Sequence, residues 1–557
     1  MEHYLTHISN AIKANWTSPA LSNFGGETYT YGQLAEGIEK YHILFESCGI
    51  KKGDKVALYA RNSAEWGIAY LGAVTYEAVI VPFLPDFIAS AVVELSVFSE
   101  CKMLIADTVA YNALESGEGL LDSLNAIDGF SAIVNVKDIS LLSAADEKIT
   151  EAINGITEKY NSKYSDGLTA DLVDYSKSET ENIAVISFTS GTTSATSKGV
   201  VLPSRSLSAN LDFARREIPS CKGDTIFSVL PMAHMFGQTF DFLFPLSGGC
   251  HVTILGGKPT PARLLAGLAE VKPFMFLTVP MVIEKIFKSK VMPTVRKPAM
   301  RVALAIPGIS NLILGTIRKK LVAALGGNLR VGVIIGGAAL NHEIEDLMKK
   351  MDFPYTVGYG MTEVGPLISY CDRHKFSKYS CGRPATPLEV RIDSSNPRRV
   401  LGEIQCKGDA VMIGYYKNGE ATKATFTKDG WLKTGDMGVM DAANNIYIKG
   451  RCKNMILTGS GQNIYPEEIE DKINNLPYIV ESLVVGRKNA LVALVVADYE
   501  GAAKAGVAEA ELEKLIESSV KGLNPELAAY SQIAMVEIRR DQFEKTPKQS
   551  IRRFLYS

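Results

Sequence analysis

Residues 188–200 read F-T-S-G-T-T-S-A-T-S-K-G-V and directly follow I-A-V-I-S at 183–187, a short apolar run with the pattern of a buried strand. Gly191 lets the backbone fold tightly enough for successive amide N–H groups to point at one centre. The hydroxyls of Thr189, Ser190, Thr192 and Thr193 add donors there, and Lys198 adds a positive charge. This strand, turn and Lys-Gly-Val-Val return suit a polyphosphate. A flexible Ser/Thr linker would need neither the strand before it nor the return after it. The turn is not a Walker loop, because Lys198 is followed by glycine rather than by Ser or Thr.

Outward from the turn, strand-like runs at 55–59, 79–83, 103–106 and 132–136 alternate with helical stretches such as 63–76. That alternation predicts α/β layers on mostly parallel sheets. A second α/β block follows, with strand-like runs at 252–255, 274–279 and 331–335. Its amphipathic stretch 312–325 carries Arg318, Lys319 and Lys320, which we read as a solvated basic helix face. Beyond about residue 386 the texture changes to short alternating runs at 389–392, 402–407 and 445–449, predicting a small antiparallel sheet or barrel. The last hundred or so residues read as helix 466–475, strands 481–485 and 493–497, helix 508–521 and strand 533–538, small-domain size. Leu512, Leu515, Ile516 and Val520 mark one apolar face of the second helix. The fold class expected is therefore α/β. A large N-terminal domain (1–450) of two α/β subdomains plus a small β-barrel is followed by a small α+β C-terminal domain (451–557).

The chain has 557 residues, 46% hydrophobic and 22% charged, a globular composition too long for one compact domain. A net charge of −2 gives no support for charge-driven nucleic-acid binding. Its 8 cysteines are scattered, with no C-x-x-C pair and no metal-ligand spacing, which fits a reducing cytoplasm better than a disulfide framework. The N-terminus lacks a basic segment followed by an apolar one, and the apolar stretch 72–99 is interrupted by Glu77, Pro82, Pro85, Asp86 and Glu94. Neither a signal peptide nor a membrane span is expected.

Further motifs lie downstream. G-Y-G-M-T-E at 358–363 supplies an aromatic ring, a hydroxyl and a carboxylate on a glycine-rich turn. G-G-A-A-L at 336–340 follows a strand, and its small residues allow a flat ligand to approach the backbone. G-W-L-K-T-G-D at 430–436 ends on Asp436, whose carboxylate can accept two hydrogen bonds. K-G-R-C-K-N at 449–454 and G-S-G-Q-N-I-Y-P-E-E-I-E at 459–470 follow, while P-M-A-H-M-F-G at 231–237 places His234 in an apolar stretch. Phe236, Phe240, Phe242 and Phe244 could line a tunnel, although core packing is the commoner reason for such residues.

Taken in this order, the motifs resemble those of adenylate-forming enzymes, the superfamily of acyl-CoA synthetases, luciferases and peptide-synthetase adenylation domains. The resemblance implies that Thr189, Ser190, Gly191, Thr192, Thr193 and Lys198 bind the ATP phosphates, and that Gly337, Ala338, Tyr359, Gly360, Met361 and Thr362 bind adenine and the α-phosphate region. It implies Asp436 at the ribose, Arg451 at the ribose or a phosphate, Mg²⁺ on Thr189 and Glu363, His234 near the attacking carboxylate, and catalytic roles for Lys198, His234, Thr362 and Glu363. Lys453 would be the hinge of a mobile C-terminal lid, and Gly461 would border the coenzyme A tunnel. The spacing from Arg451 to Gly461 and T-V-P-M-V-I-E-K-I at 278–286 look like long-chain fatty acyl-CoA synthetases.

The chain also departs from the family pattern. Ser194 and Ser197 stand where the usual loop has glycine and proline, and one extra residue precedes Lys198. Ser550 stands where the family's C-terminal lysine is expected, with Lys548 two residues earlier as a candidate replacement. The implied reaction couples a fatty acid to coenzyme A with release of AMP and pyrophosphate. A carrier-protein or adenylate-only ligase, and a non-catalytic nucleotide- or acyl-binding protein, are the alternatives. Peripheral membrane contact and a homodimer are both compatible with this reading.

Overall fold

A computed structural model describes residues 1–176, 178–189, 197–257, 259–457, 462–487, 490–545 and 551–556. Its largest sheet has eight strands. Ile183–Phe188, Val79–Phe83, Lys55–Tyr59, Cys101–Ala106 and Ala132–Asn135 run parallel in that order. Their interiors are almost wholly buried, as expected where helices cover both faces. Helix Ala64–Thr75 makes one crossover, and Ser63 caps it by accepting from the Trp66 amide. Leu141–Ala144 adds an antiparallel edge strand.

The hydroxyl-rich turn connects two neighbouring strands of this sheet. Ile183–Phe188 pairs antiparallel with Gly199–Pro203 up to the partners Phe188 and Gly199, and the Thr189 amide donates to the Lys198 carbonyl at 3.0 Å. The mouth of the turn is thus held by backbone hydrogen bonds at the end of a buried strand.

The second α/β block divides differently from the sequence reading. Met275–Thr278, Gly332–Ile335 and Tyr355–Val357 form a three-stranded parallel sheet. His251–Ile254 belongs to another sheet, between Thr225–Ser228 and the N-terminal strand Pro19–Asn23. That pairing spans more than two hundred residues, and nothing local announces it.

Glu389–Asp393, Gly402–Lys407, Leu432–Met440 and Ile446–Arg451 form a four-stranded antiparallel sheet. Its register sets Asp436 directly opposite Arg451. The main core extends to Ile446 and separate cores begin at Ile464. There, strands Ile479–Arg487, Ala490–Ala497 and Ile533–Arg539 carry helices Pro466–Ile473 and Glu509–Lys521 on one face, through Val484, Ala493, Val495, Leu512, Ile516 and Val520. Alternate residues Leu483, Val485, Val492 and Leu494 pack against Phe543 on the other face. Leu515, expected on the apolar helix face, is exposed. Among the described residues no single helix is long and apolar enough to cross a membrane.

Candidate active site

A cavity of about 830 Å³ lies where these sheets meet. It is lined by Thr189, Lys198, His234, Gly337, Tyr359, Gly360, Met361, Thr362, Glu363, Asp436, Arg451 and Lys453, which come from six separate stretches of the sequence. Ala338 is exposed and stands outside this lining. Ser190, Gly191, Thr192, Thr193, Gly461, Lys548 and Ser550 lie outside the described residues.

Two hydrogen-bonded clusters form the polar wall. In the first, the Tyr359 hydroxyl donates to Asp436 Oδ2 at 2.7 Å, and Arg451 Nε meets Asp436 Oδ1 at 3.0 Å. Burial raises the Asp436 carboxyl above its ordinary range, and the Arg451 charge opposes that shift. Gly435, at φ +75°, turns the backbone immediately before it. In the second cluster the Tyr415 hydroxyl donates to Glu363 Oε1 at 2.9 Å, and Lys198 Nζ sits 4.5 Å from the centroid of the same ring. Glu363 Oε2 has no hydrogen-bond partner among the described residues. Gly360 must be glycine, since a Cβ there would lie 2.0 Å from the Pro366 carbonyl oxygen.

The apolar wall has a different construction. Leu277 and Ile334 are register partners on adjacent parallel strands, and Met275 shares their face two residues away. Phe236 and Phe240 complete the wall, edge to face at 6.2 Å. Phe236 packs so closely on the backbone after the strand that a Cβ at Gly336 would lie 3.1 Å from its ring. A π-helix, Gly237–Leu243, carries Phe240 into the cavity, whereas Phe242 and Phe244 point into the core and are fully buried. The four phenylalanines thus split between the two roles considered for them.

The His234 loop is tied down from below. Asn62 donates to the Leu230 carbonyl at 2.7 Å and accepts from the Met232 amide at 3.0 Å. Asp241, fully buried, accepts from the Val229 and Leu230 amides at 3.3 Å each. Burial pushes its carboxyl up to about 7.

Sequence reasoning missed Tyr415, Asn62 and Asp241. Asp241 had a usable signal, an acid inside the apolar run F-D-F-L-F at 240–244. Tyr415 and Asn62 stand in no recognisable motif, and only the fold brings them to the site.

The donor set fits a magnesium nucleotide. One carboxylate oxygen and one hydroxyl, on Glu363 and Thr189, line the same cavity, and magnesium bound with polyphosphate needs few protein ligands. Among the described residues no cluster of three or more His, Cys, Asp or Glu could hold a metal unaided.

Comparison with known proteins gives the family of the chain. Residues 10–416 match the AMP-binding enzyme family and residues 453–556 match the AMP-binding enzyme C-terminal domain. The chain belongs to the AMP-binding enzyme family and is an adenylate-forming enzyme resembling acyl-CoA synthetases. It is 26% identical over 501 residues to the long-chain-fatty-acid–CoA ligase heimdall of Drosophila melanogaster, spanning 85% of this chain and 71% of that protein. It is 27% identical over 483 residues to the 4-coumarate–CoA ligase CCL1 of Humulus lupulus, spanning 83% and 78%. Its fold matches a benzoate CoA ligase from Burkholderia xenovorans LB400 with a TM-score of 0.76 at 18% identity, over 100% of this chain and 99% of that one.

Proposed function

We propose that the protein is a cytoplasmic, ATP-dependent ligase that activates an apolar, fatty carboxylic acid as its adenylate and transfers the acyl group to coenzyme A. The observation that carries this reading is one cavity with two unlike walls. Thr189, Lys198, Thr362, Glu363, Asp436 and Arg451 suit a nucleotide, and Met275, Leu277, Ile334, Phe236 and Phe240 suit a hydrocarbon chain. No Lys or Arg stands among the apolar-wall residues, so a second carboxylate on the acid would lack a counter-charge there.

In the first half-reaction a carboxylate oxygen bonds to the α-phosphorus as the bond to pyrophosphate breaks. Negative charge spreads over phosphate oxygens, and Lys198 and the Thr189 and Thr362 hydroxyls, which line the cavity, stabilise it. Thr189 and Glu363 would hold magnesium, which when bound neutralises part of that charge. Asp436 exchanges the Tyr359 and Arg451 contacts for the ribose hydroxyls, and His234 orients the acid. In the second half-reaction the thiol sulfur of coenzyme A gives up its proton and bonds to the acyl carbon, and the carbon–oxygen bond to AMP breaks. Residues 451–557 swing as a lid about Lys453, and Gly461 borders the path of the thiol. Lys548 supplies the second cation in place of Ser550. Pyrophosphate exchange should fall in Lys548→Ala, and an unchanged rate removes that role.

The test is a panel of carboxylic acids assayed for AMP release and acyl-CoA formation. Fatty acids should release AMP, and acyl-CoA should appear only with coenzyme A. Normal nucleotide binding without AMP from any acid would favour a non-catalytic binding protein. AMP release with holo-carrier protein but not with coenzyme A would favour a carrier-protein ligase.

A further inference from the structure

Residues 285–341 contain ten Lys or Arg and no Asp or Glu, in a chain whose net charge is −2. They include nearly all of the crossover between the cavity strands Met275–Thr278 and Gly332–Ile335. Helix Pro298–Leu304 buries none of its residues, and helix Pro307–Ala324 buries only Ser310, Leu314 and Leu321. The second helix starts five residues before the sequence pattern suggested, and the extra turn adds Ile309. The two helices meet at 115°, and at their corner Val302 is 68% exposed, Ile306 48%, Ile309 45% and Leu312 74%. Val302 lies in the last turn of the first helix, Ile306 is the N-cap of the second, and Ile309 and Leu312 stand three residues apart on it, so the exposed apolar side chains gather at this corner.

Cations are dense in the same segment. Arg296, Arg318 and Arg330 pair with Glu343, Asp352 and Asp224. Lys285, Lys290, Lys297, Arg301, Lys319 and Lys320 have no ion-pair partner among the described residues. Lys319 continues the exposed stripe Ile309, Leu312, Thr316, and Lys320 flanks it. A solvated basic face accounts for the lysines but not for four large apolar side chains in water beside them.

We infer that this corner docks on an anionic lipid surface. Val302, Ile306, Ile309 and Leu312 enter the headgroup region, and the surrounding Lys and Arg side chains meet the lipid phosphates. The sharp bend between the helices suits lying on the surface rather than spanning it. The crossover leaves and rejoins strands carrying Met275, Leu277 and Ile334, so docking holds the apolar wall close to a source of hydrocarbon acids. That last link rests on the proposed apolar substrate; the docking does not.

The test is co-sedimentation of the full chain, without nucleotide, with phosphatidylcholine vesicles containing or lacking about 30% phosphatidylglycerol. Anionic vesicles should bind at least about ten-fold better, and binding should weaken as salt rises from about 0.05 to about 0.5 M. Val302→Asp with Leu312→Asp, and separately Lys319→Glu with Lys320→Glu, should each lower the partition coefficient about ten-fold or more. Both pairs should leave AMP release from a soluble short acid and the thermal melt unchanged. The lysine pair keeps the test decisive should the apolar pair misfold. Equal sedimentation with both vesicle types, or variants that bind like the parent, overturns the inference. So does a dimer in light scattering that Val302→Asp with Leu312→Asp dissociates while vesicles never bind, because the patch is then covered by a second copy. Failure of the parent chain to bind anionic vesicles, with intact fatty-acid activation, sinks the docking alone. Intact vesicle binding with no AMP release from any acid sinks the ligase reading alone.

Discussion

In the polar half of the cavity, Asp436 is held by Tyr359 and Arg451, and Glu363 by Tyr415. In the apolar half, Met275, Leu277, Ile334, Phe236 and Phe240 are held by packing and strand register. Hydrogen-bonded groups tolerate few substitutes, because an unpaired buried partner costs more than the bond contributes. Packed walls tolerate exchange so long as volume is conserved. The polar half should therefore respond to mutation by losing rate or nucleotide affinity, and the apolar half by changing which acid is preferred.

The largest effect should come from Glu363→Gln, which keeps the shape and removes the charge. AMP release should drop about 100- to 1000-fold, the scale seen when one group stabilising a charged transition state is removed. A drop under ten-fold would take Glu363 out of the chemistry. Next is Asp436→Ala, for which the KM for ATP should rise about 10- to 100-fold, matching the loss of hydrogen bonds to a charged acceptor. An unchanged KM would move the ribose elsewhere. Phe240→Ala should leave the KM for ATP alone and shift kcat/KM toward bulkier acids about ten-fold, the usual value of a small change of apolar volume. A fall shared by all acids would mean that Phe240 supports the loop rather than shapes the pocket.

Asp241 offers a comparison through pH. Its folded-state carboxyl lies near 7, above the ordinary range of about 4, so the folded protein holds a proton there that the unfolded chain has released. Stability linked to this group is present at low pH, falls as pH rises from about 4 to about 7, and is flat above, with a slope of at most about 1.4 kcal/mol per pH unit. Asp241→Asn should flatten that part of the melting profile, and identical profiles would show that Asp241 does not titrate there. The smallest effect should be Tyr415→Phe. The ring under Lys198 remains and one hydrogen bond to Glu363 is lost, so kcat should fall about five-fold.

The family and the large parallel sheet were legible because short apolar runs and glycine-bearing motifs carry their meaning locally. Strands at 55–59, 79–83 and 183–188 sit where their patterns predict. The motif carboxylates Glu363 and Asp436 reach the same cavity. The sheet shared by Pro19–Asn23 and His251–Ile254 was not legible, since pairing across such a separation leaves no local trace. The basic helix at 307–324 was half legible: its charges were clear, but exposure of Ile309 and Leu312 depends on what the rest of the fold declines to cover.

What the sequence by itself determined is the chemistry: hydroxyls and a lysine after a buried strand, a carboxylate on a glycine turn, and an aspartate on a second turn. These functions depend on residue type and local backbone, and both are local properties. Tertiary structure alone decided that Tyr415 lies between Lys198 and Glu363, that Arg451 faces Asp436, and that two of four neighbouring phenylalanines line the cavity. Those outcomes follow from strand register, a π-helical turn and long-range packing, which arise only when segments far apart in the chain meet.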